Sequence, residues 1–438
     1  MHAPPPQLSP LDRAHYELNI QLFYGFRFLR EAQLWIPIWI VYLIIDRGFS
    51  LSQIGIADAV FLIGLTLLEV PTGAIADRFG RSISLALGAG FLAISIAIFG
   101  LTTSFPILLA SFLTWSLAET LLSGADLALV YDSLKALGRE DEYEKQAGRG
   151  EAFMWGGATL GVLIGGPVAQ LVSTEFTIFL GVGTTASMIF LALAMREPPR
   201  HETDGVQTGY LEGARRAISL VWRLPSVRSA MLYSAALIAG LEATGYLLQP
   251  FLLDKGQEVG VTFSLLQVPG LLAGVLGSLL AFRIVTRAGT VPVFVVIPIV
   301  GVGAYAGLAL IDALGAVAFF PIILLLRSTV QPIATGYINR RVPSDQRATI
   351  LSLQSLMIGL LLAPFSASVG IIFDEVGLQW AFAVPGIALA ALALTTGSVW
   401  VRAHRREIFH PPEDAKLEPV PPGVIAPVLS AHPGDPGM

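Results

Sequence analysis

Seven ionisable residues stand where an apolar chain should carry none. Arg27, Arg30 and Glu31, then Glu119 and Asp126, then Glu242, then Arg327 each interrupt an apolar run long enough to cross a bilayer. A charge near mid-membrane costs at least about 2.5 kcal/mol on insertion scales, so each is first read as functional. Two kinds of chemistry are open to them. A guanidinium fork binds the carboxylate or phosphate of a solute. A buried carboxyl without a full partner takes up and releases a proton. The structural alternative is a set of ion pairs that hold helices in register. Arg27 and Glu31 are four apart on one helical face and can pair. Glu119 and Asp126, seven apart, share a face two turns distant. Opposite charge makes Arg27 or Arg30 a candidate partner for Glu119 or Asp126, and Arg327 one for Glu242. Asp58 lies nearer the outer surface; Glu69, Asp132 and Glu151 lie nearer the inner one. Trp115 and Tyr246 are aromatic candidates for stacking on a solute, with plain packing as the alternative.

The elements that position these residues follow from composition. Of the 438 residues, 54% are hydrophobic and 13% charged, against about 25% charged in soluble domains. An apolar exterior of that extent needs lipid as its solvent. A crossing helix takes roughly 20 apolar residues. Candidate spans are 18–45, 52–75, 83–103, 106–132, 151–173, 176–195, 229–253, 262–284, 291–311, 316–338, 347–371 and 379–401. The expected fold is therefore an all-α membrane protein of twelve transmembrane helices. Of the 27 Lys and Arg, an N-terminus inside leaves only Arg47 and Lys255 in outer loops and Arg27, Arg30 and Arg327 within spans. All the others fall inside, so both termini are expected to be cytoplasmic, with the protein in the cell membrane.

The chain divides into a tail (1–17), a six-helix bundle (18–195), a linker (196–228), a second six-helix bundle (229–401) and a proline-rich tail (402–438) expected to be disordered. The N-terminal tail lacks the basic-then-apolar pattern of a cleaved signal peptide, so the first span is expected to be retained. In the linker, Leu211, Ala214, Ile218 and Val221 recur at helical spacing with Glu212, Arg215, Arg216 and Arg223 between them. That reads as an amphipathic helix at the inner membrane surface, or a solvated linker helix. The halves echo each other: Ile45-Asp46-Arg47-Gly48 against Leu253-Asp254-Lys255-Gly256, and Arg78-Phe79-Gly80 against Arg287-Ala288-Gly289. Such a parallel repeat implies a solute site at the interface of the halves.

Between spans 2 and 3 stands Gly73-Ala74-Ile75-Ala76-Asp77-Arg78-Phe79-Gly80-Arg81-Ser82. Gly73, Asp77, Arg78, Gly80 and Arg81 resemble the signature loop of the major facilitator superfamily; Ser82 departs from its usual second basic residue. The resemblance implies two pseudo-symmetric six-helix bundles, alternating access, and a loop that latches the halves on the cytoplasmic side. It also implies that helices 1, 4, 7 and 10, which carry all seven deep charges, line the cavity. Without the resemblance, Gly73 permits close helix approach, Gly80 a tight turn, and Arg78 and Arg81 anchor the inner face. The alternative is a plain basic hairpin turn. In span 5, Gly157, Gly161, Gly165, Gly166 and Pro167 partly resemble the glycine-proline motif of the family's drug:proton antiporters, though helix packing alone would explain them. Those antiporters usually carry an arginine in helix 4, which Glu119-Thr120-Leu121-Leu122-Ser123-Gly124 lacks. The expected function is proton-coupled efflux of small amphiphilic compounds. The alternative is an uptake symporter or uniporter for a polar or anionic nutrient. A membrane enzyme or receptor finds no support: there is no nucleotide loop and no cysteine, and the histidines fall in tails and linker. No metal, cofactor or nucleic acid is expected. The expected partners are a small-molecule solute, protons and the bilayer, around a monomer.

Overall fold

The computed structural model describes residues 8–198, 210–242, 245–343 and 346–409, and the regular elements among them are all helices. In the N-terminal half lie α1 (Pro10–Glu31), α2 (Trp39–Ile45), α3 (Leu51–Phe79), α4 (Arg81–Leu101), α5 (Phe105–Leu122), α6 (Ala125–Ala136), α7 (Tyr143–Leu171) and α8 (Thr174–Ala194). Then come α9 (Tyr210–Arg223), α10 (Pro225–Glu242), α11 (Leu248–Asp254), α12 (Val261–Leu265), α13 (Val268–Ala288), α14 (Thr290–Leu310), α15 (Phe319–Asn339), α16 (Arg347–Val376) and α17 (Leu378–Phe409). Among the described residues, eleven helical stretches are long and apolar enough to cross a membrane. Phe190, Phe282 and Leu310 stand 75%, 76% and 82% exposed on their flanks. Water would penalise that surface and lipid accepts it, so this is an all-helical, multi-spanning membrane protein.

The expected first span, 18–45, is not one helix. Ser9 accepts from the Asp12 N–H and Pro10 occupies the first turn, which starts α1. The helix stops after Glu31, and residues 32–38 are non-helical before α2 begins. The expected seventh span is broken at the matching place: α10 stops at Glu242 and a 3₁₀ turn, Gly245–Leu247, leads into α11. The fourth is broken too, at Ser123 and Gly124, where Gly124 takes a left-handed φ of 71°.

The glycines of α7 explain how the first break is tolerated. A Cβ at Gly157 would overlap the Phe28 carbonyl oxygen, one at Gly165 the Leu34 carbonyl oxygen, and one at Gly161 would stand 2.9 Å from that of Gln33. Glycines at every fourth position thus form a groove in which the unwound chain lies. Gly166, one residue off that line, meets Gly260 and Ser264 of the C-terminal half.

The sequence echoes are turns of equal shape. Gly48 and Gly256 both adopt left-handed φ, 75° and 72°, and the preceding cation lies over an aromatic ring in each, Arg47 over Tyr42 and Lys255 over Phe251. Gly80 and Gly289 likewise precede α4 and α14 with φ of 109° and 83°.

Two expectations are corrected, and the linker helix gains a packing partner. In the amphipathic helix α9, Ala217 and Val221 pack on Val227, Met231, Ile338, Val342 and Ile350 of the C-terminal half. Its Ile218 and Trp222 stay 44% and 66% exposed, while the side chains of 211–214 lie outside the described residues. The motif between spans 2 and 3 is mostly helix, since α3 runs to Phe79 and α4 starts at Arg81, leaving Gly80 as the connection. The last span continues to Phe409, so His404 is helical rather than in a tail; it stacks on Trp400 and shares a 2.9 Å hydrogen bond with the Tyr337 hydroxyl. The tail from His410 and the linker stretch 199–209 lie outside the described residues.

Gly165→Ala is expected to lower stability by about 1–3 kcal/mol through overpacking. Gly73→Ala, with no atom within 4 Å of the added carbon, should leave the detergent melting midpoint unchanged. Thermal melts of the two variants check this.

Candidate functional site

Helices of the two halves meet along α3 and α16, α7 and α12, and α2 and α11. The hydrogen bonds between halves gather on the face opposite the Gly73–Arg81 motif. There Asp374 accepts from Ser52 N at 2.7 Å, and Gly166 N donates to Ser264 Oγ at 3.0 Å. The membrane charges pair within each half rather than across the seam.

They form three groups. Arg27 Nε donates to Asp126 Oδ2 at 2.7 Å and its Nη1 to Glu151 Oε1 at 2.6 Å. Asp126 sits in the first turn of α6 and also accepts from Leu127 N at 2.8 Å, where the helix N-terminus favours an anion. The Arg27 and Asp126 side chains are 9% and 2% exposed. Arg30 pairs with Glu119, at 20% and 24% exposure, and Trp115 Nε1 donates to the same carboxylate at 3.3 Å. In the other half Arg327 pairs with Glu242, at 42% and 28%.

Two spacing expectations fail here. Arg27 does not pair with Glu31, because Asp126 and Glu151 occupy its guanidinium; among the described residues no ion pair or hydrogen bond engages Glu31. Glu119 and Asp126 do not share one helical face, because the break at Ser123–Gly124 separates the last turn of α5 from the first of α6. Each carboxylate instead takes its own arginine from α1.

Trp115 and Tyr246 belong to one aromatic cluster. Trp115 packs against Trp35, Phe61 and Phe112, with ring centroids at 5.4, 5.2 and 5.7 Å. Trp39 links Phe112, at 6.1 Å, to Tyr246, at 6.2 Å. The cluster joins the halves and forms an aromatic wall beside the ion pairs.

The break in the first span exposes backbone groups that the bilayer cannot hydrate. Three glutamines satisfy them. Gln33 donates to Leu29 O at 2.9 Å and accepts from Trp35 Nε1 at 3.0 Å. Gln249, from α11 of the other half, accepts from Ile40 N at 3.0 Å and Val41 N at 3.3 Å, and donates to Ile36 O at 3.0 Å. Gln267 donates to Pro37 O at 3.0 Å. The sequence reading missed all three. The available signal was an amide inside an apolar run a few residues from a proline, as in Gln33 and Pro37, Gln249 and Pro250, and Gln267 and Pro269.

On the motif face, Arg81 bonds Asp132 and the Ala128 carbonyl within the N-terminal half. Glu197 accepts from Ser82 N at 2.6 Å and lies against Gly80. Arg78 is exposed and lies 5.4 Å from the Phe79 ring centroid. Gly73 faces open space, so no helix approaches it in this conformation. The Asp77 side chain lies outside the described residues.

Each of the two groups of membrane-crossing helices thus holds a partly exposed ion pair. The chain belongs to the Major Facilitator Superfamily, whose pattern it matches over residues 24–366, and is a transporter rather than an enzyme. It is 25% identical over 395 residues to the uncharacterized MFS-type transporter YxaM of Bacillus subtilis (strain 168), covering 84% of this chain and 93% of YxaM. Its fold is similar to that of a mutant of the nucleoside transporter NupG, with a TM-score of 0.77 at 15% identity over 87% of this chain and all of the other. It is also similar to a bacterial homolog of the human lysosomal transporter Spinster in an inward-facing, unoccupied conformation, with a TM-score of 0.68 at 18% identity over 92% and 99% of the two chains.

Arg27→Ala would strand the buried Asp126 carboxylate and is expected to cost about 3–5 kcal/mol. Replacing both partners, Arg27→Met with Asp126→Leu, should recover most of that stability, and melting midpoints distinguish the two outcomes. Gln249→Leu leaves three backbone groups without this partner, at about 1–3 kcal/mol for each one left buried and unsatisfied. Amide exchange across residues 36–43 should accelerate at least tenfold in that variant.

Proposed function

We propose that this protein is a secondary carrier that takes up a small polar or anionic solute by alternating access, as a proton symporter or a uniporter. One observation carries the reading. Two ion pairs, Arg30–Glu119 and Arg327–Glu242, stand one in each half and both keep partial exposure. Each couples a guanidinium fork to a carboxylate. Together they offer donors and acceptors from both sides to a solute rich in hydrogen-bonding groups. The aromatic wall of Trp115, Trp39 and Tyr246 suits a flat ring. Likeness of fold to a nucleoside transporter supports a polar solute of this kind.

The finer architecture belongs to the same proposal. α1 and α2 together make a twelfth crossing, giving two bundles of six joined by the linker 196–228, in a monomer. Lysine and arginine asymmetry puts both termini and the Gly73–Arg81 motif in the cytoplasm. Gly73, Asp77, Arg78, Gly80 and Arg81 then act as an inner latch between the halves. Arg27, Asp126 and Glu151 hold α1, α6 and α7 in register rather than bind solute.

Proton-coupled efflux of amphiphilic cations is the second reading. Glu31 favours it, as a deep carboxylate with no ion-pair partner among the described residues. The missing helix 4 arginine removes the usual relay, and the arginines would repel a cation. Counterflow in proteoliposomes separates the two readings, with panels of organic anions, neutral nucleosides and organic cations. Exchange of anions or nucleosides, reduced at least tenfold by Arg30→Ala, is expected. Exchange confined to cations and untouched by Arg30→Ala overturns the uptake reading.

A further inference from the structure

The three ion-paired groups account for every deep carboxylate but Glu31. One more carboxyl, Asp58, is buried in the seam where the halves meet. Asp58 is 5% exposed, and its Oδ2 is buried with no hydrogen-bond partner. It lies on α3 one turn from Gly55, whose missing side chain lets the α16 backbone at Ser366 come into contact. The groups that flank the carboxyl belong to the other half: the hydroxyl of Ser366 on α16 and that of Tyr246 after α10. Ser366 Oγ is itself buried without a partner.

The charge that reaches Asp58 has the wrong sign for an ionised carboxylate: it is that of Glu242, already engaged by Arg327. Tyr246 is the other titratable group facing it. α16 contributes only the Ser366 hydroxyl, and α5, behind α3, sets Leu113 and Ser116 against Gly64 rather than a charge. An anion confined there has lost water and gained no cation, which disfavours it strongly. The Tyr246 and Ser366 hydroxyls can each donate to the carboxyl, but neither brings the positive charge that a buried anion needs, and a neutral carboxyl fits because it can donate as well as accept.

We propose that Asp58 is a proton-binding site that locks the seam: protonated, it lets α3 close on α16 and Tyr246, and on losing its proton it drives the halves apart on that face. The step is a simple dissociation, the carboxyl giving its hydrogen to water as the seam hydrates and regaining it before the seam closes. Asp58 thereby couples a proton to one half of the transport cycle, without contacting the solute. This rests on the alternating-access reading but not on the nature of the solute.

The test needs no solute. The chain has no cysteine, so Ala363→Cys gives a single thiol one turn from Ser366, at a position 3% exposed. Its labelling by a maleimide is followed in nanodiscs from pH 5 to pH 9, each rate divided by that of a free thiol at the same pH. The corrected rate should rise at least tenfold with pH in the parent protein. In Asp58→Asn, which keeps the neutral shape, it should stay low at every pH, while Glu31→Gln should keep the parental profile. Melting at pH 5 checks that Asp58→Asn is folded; if it is not, Asp58→Ser replaces it with the same expected flat profile. A pH-dependent rise that persists in the folded variant, or a parental profile already flat, overturns the proposal. A failed counterflow assay with every solute panel would instead count against the uptake reading and leave this one standing.

Discussion

The constraint on which this structure depends is that peptide groups within a bilayer must find hydrogen-bond partners inside the protein. The first membrane segment unwinds between Glu31 and Trp39, releasing the groups that a continuous helix would have paired. Gln33 answers part of that need from within the break, and Gln249 and Gln267 answer the rest from the other half. The glycine groove of α7 makes room for the unwound chain. A helix break, a glycine stripe and a seam between halves are therefore a single feature. The first helix cannot unwind without the seam, and the seam cannot open without presenting those backbone groups to water.

The same constraint sorts the charges. Burial separates Arg27–Asp126, sealed and bonded to three helices, from Arg30–Glu119 and Arg327–Glu242, which keep partial exposure. A sealed pair resists separation because either partner alone would be stranded in a medium of low polarity. An open pair retains access to water and can exchange part of its bonding for a solute. Thus six of the seven deep charges, alike in the sequence, divide into one sealed pair and two partly exposed pairs by their access to solvent.

Much of this was legible in the residues themselves. Apolar runs of membrane length located the crossing helices, the Gly73–Arg81 pattern pointed to the family, and charge types on spans 1, 4, 7 and 10 anticipated the partners Arg30 with Glu119 and Arg327 with Glu242. Those inferences rest on hydropathy and charge complementarity, which act regardless of geometry. The failures came where helical periodicity was extended across a break. Arg27 was matched to Glu31 and Glu119 aligned with Asp126 as though each span were straight. The glycines of α7 could be read as a packing face, but not as the seat of an unwound strand of chain.

The sequence by itself determined that this chain must live in lipid, which segments cross it, and that buried charges of both signs must find one another, because desolvation is a property of each residue and each span. Only the tertiary structure decided where helices stop, which arginine serves which carboxylate, and that the two halves close through Gln249, Gln267, Gly166 and the seam at Asp58. Those outcomes depend on contacts between segments as much as 322 residues apart, as in Ser52 with Asp374. No local pattern records such distances, since the partner that satisfies a stranded peptide or carboxyl is supplied by the fold.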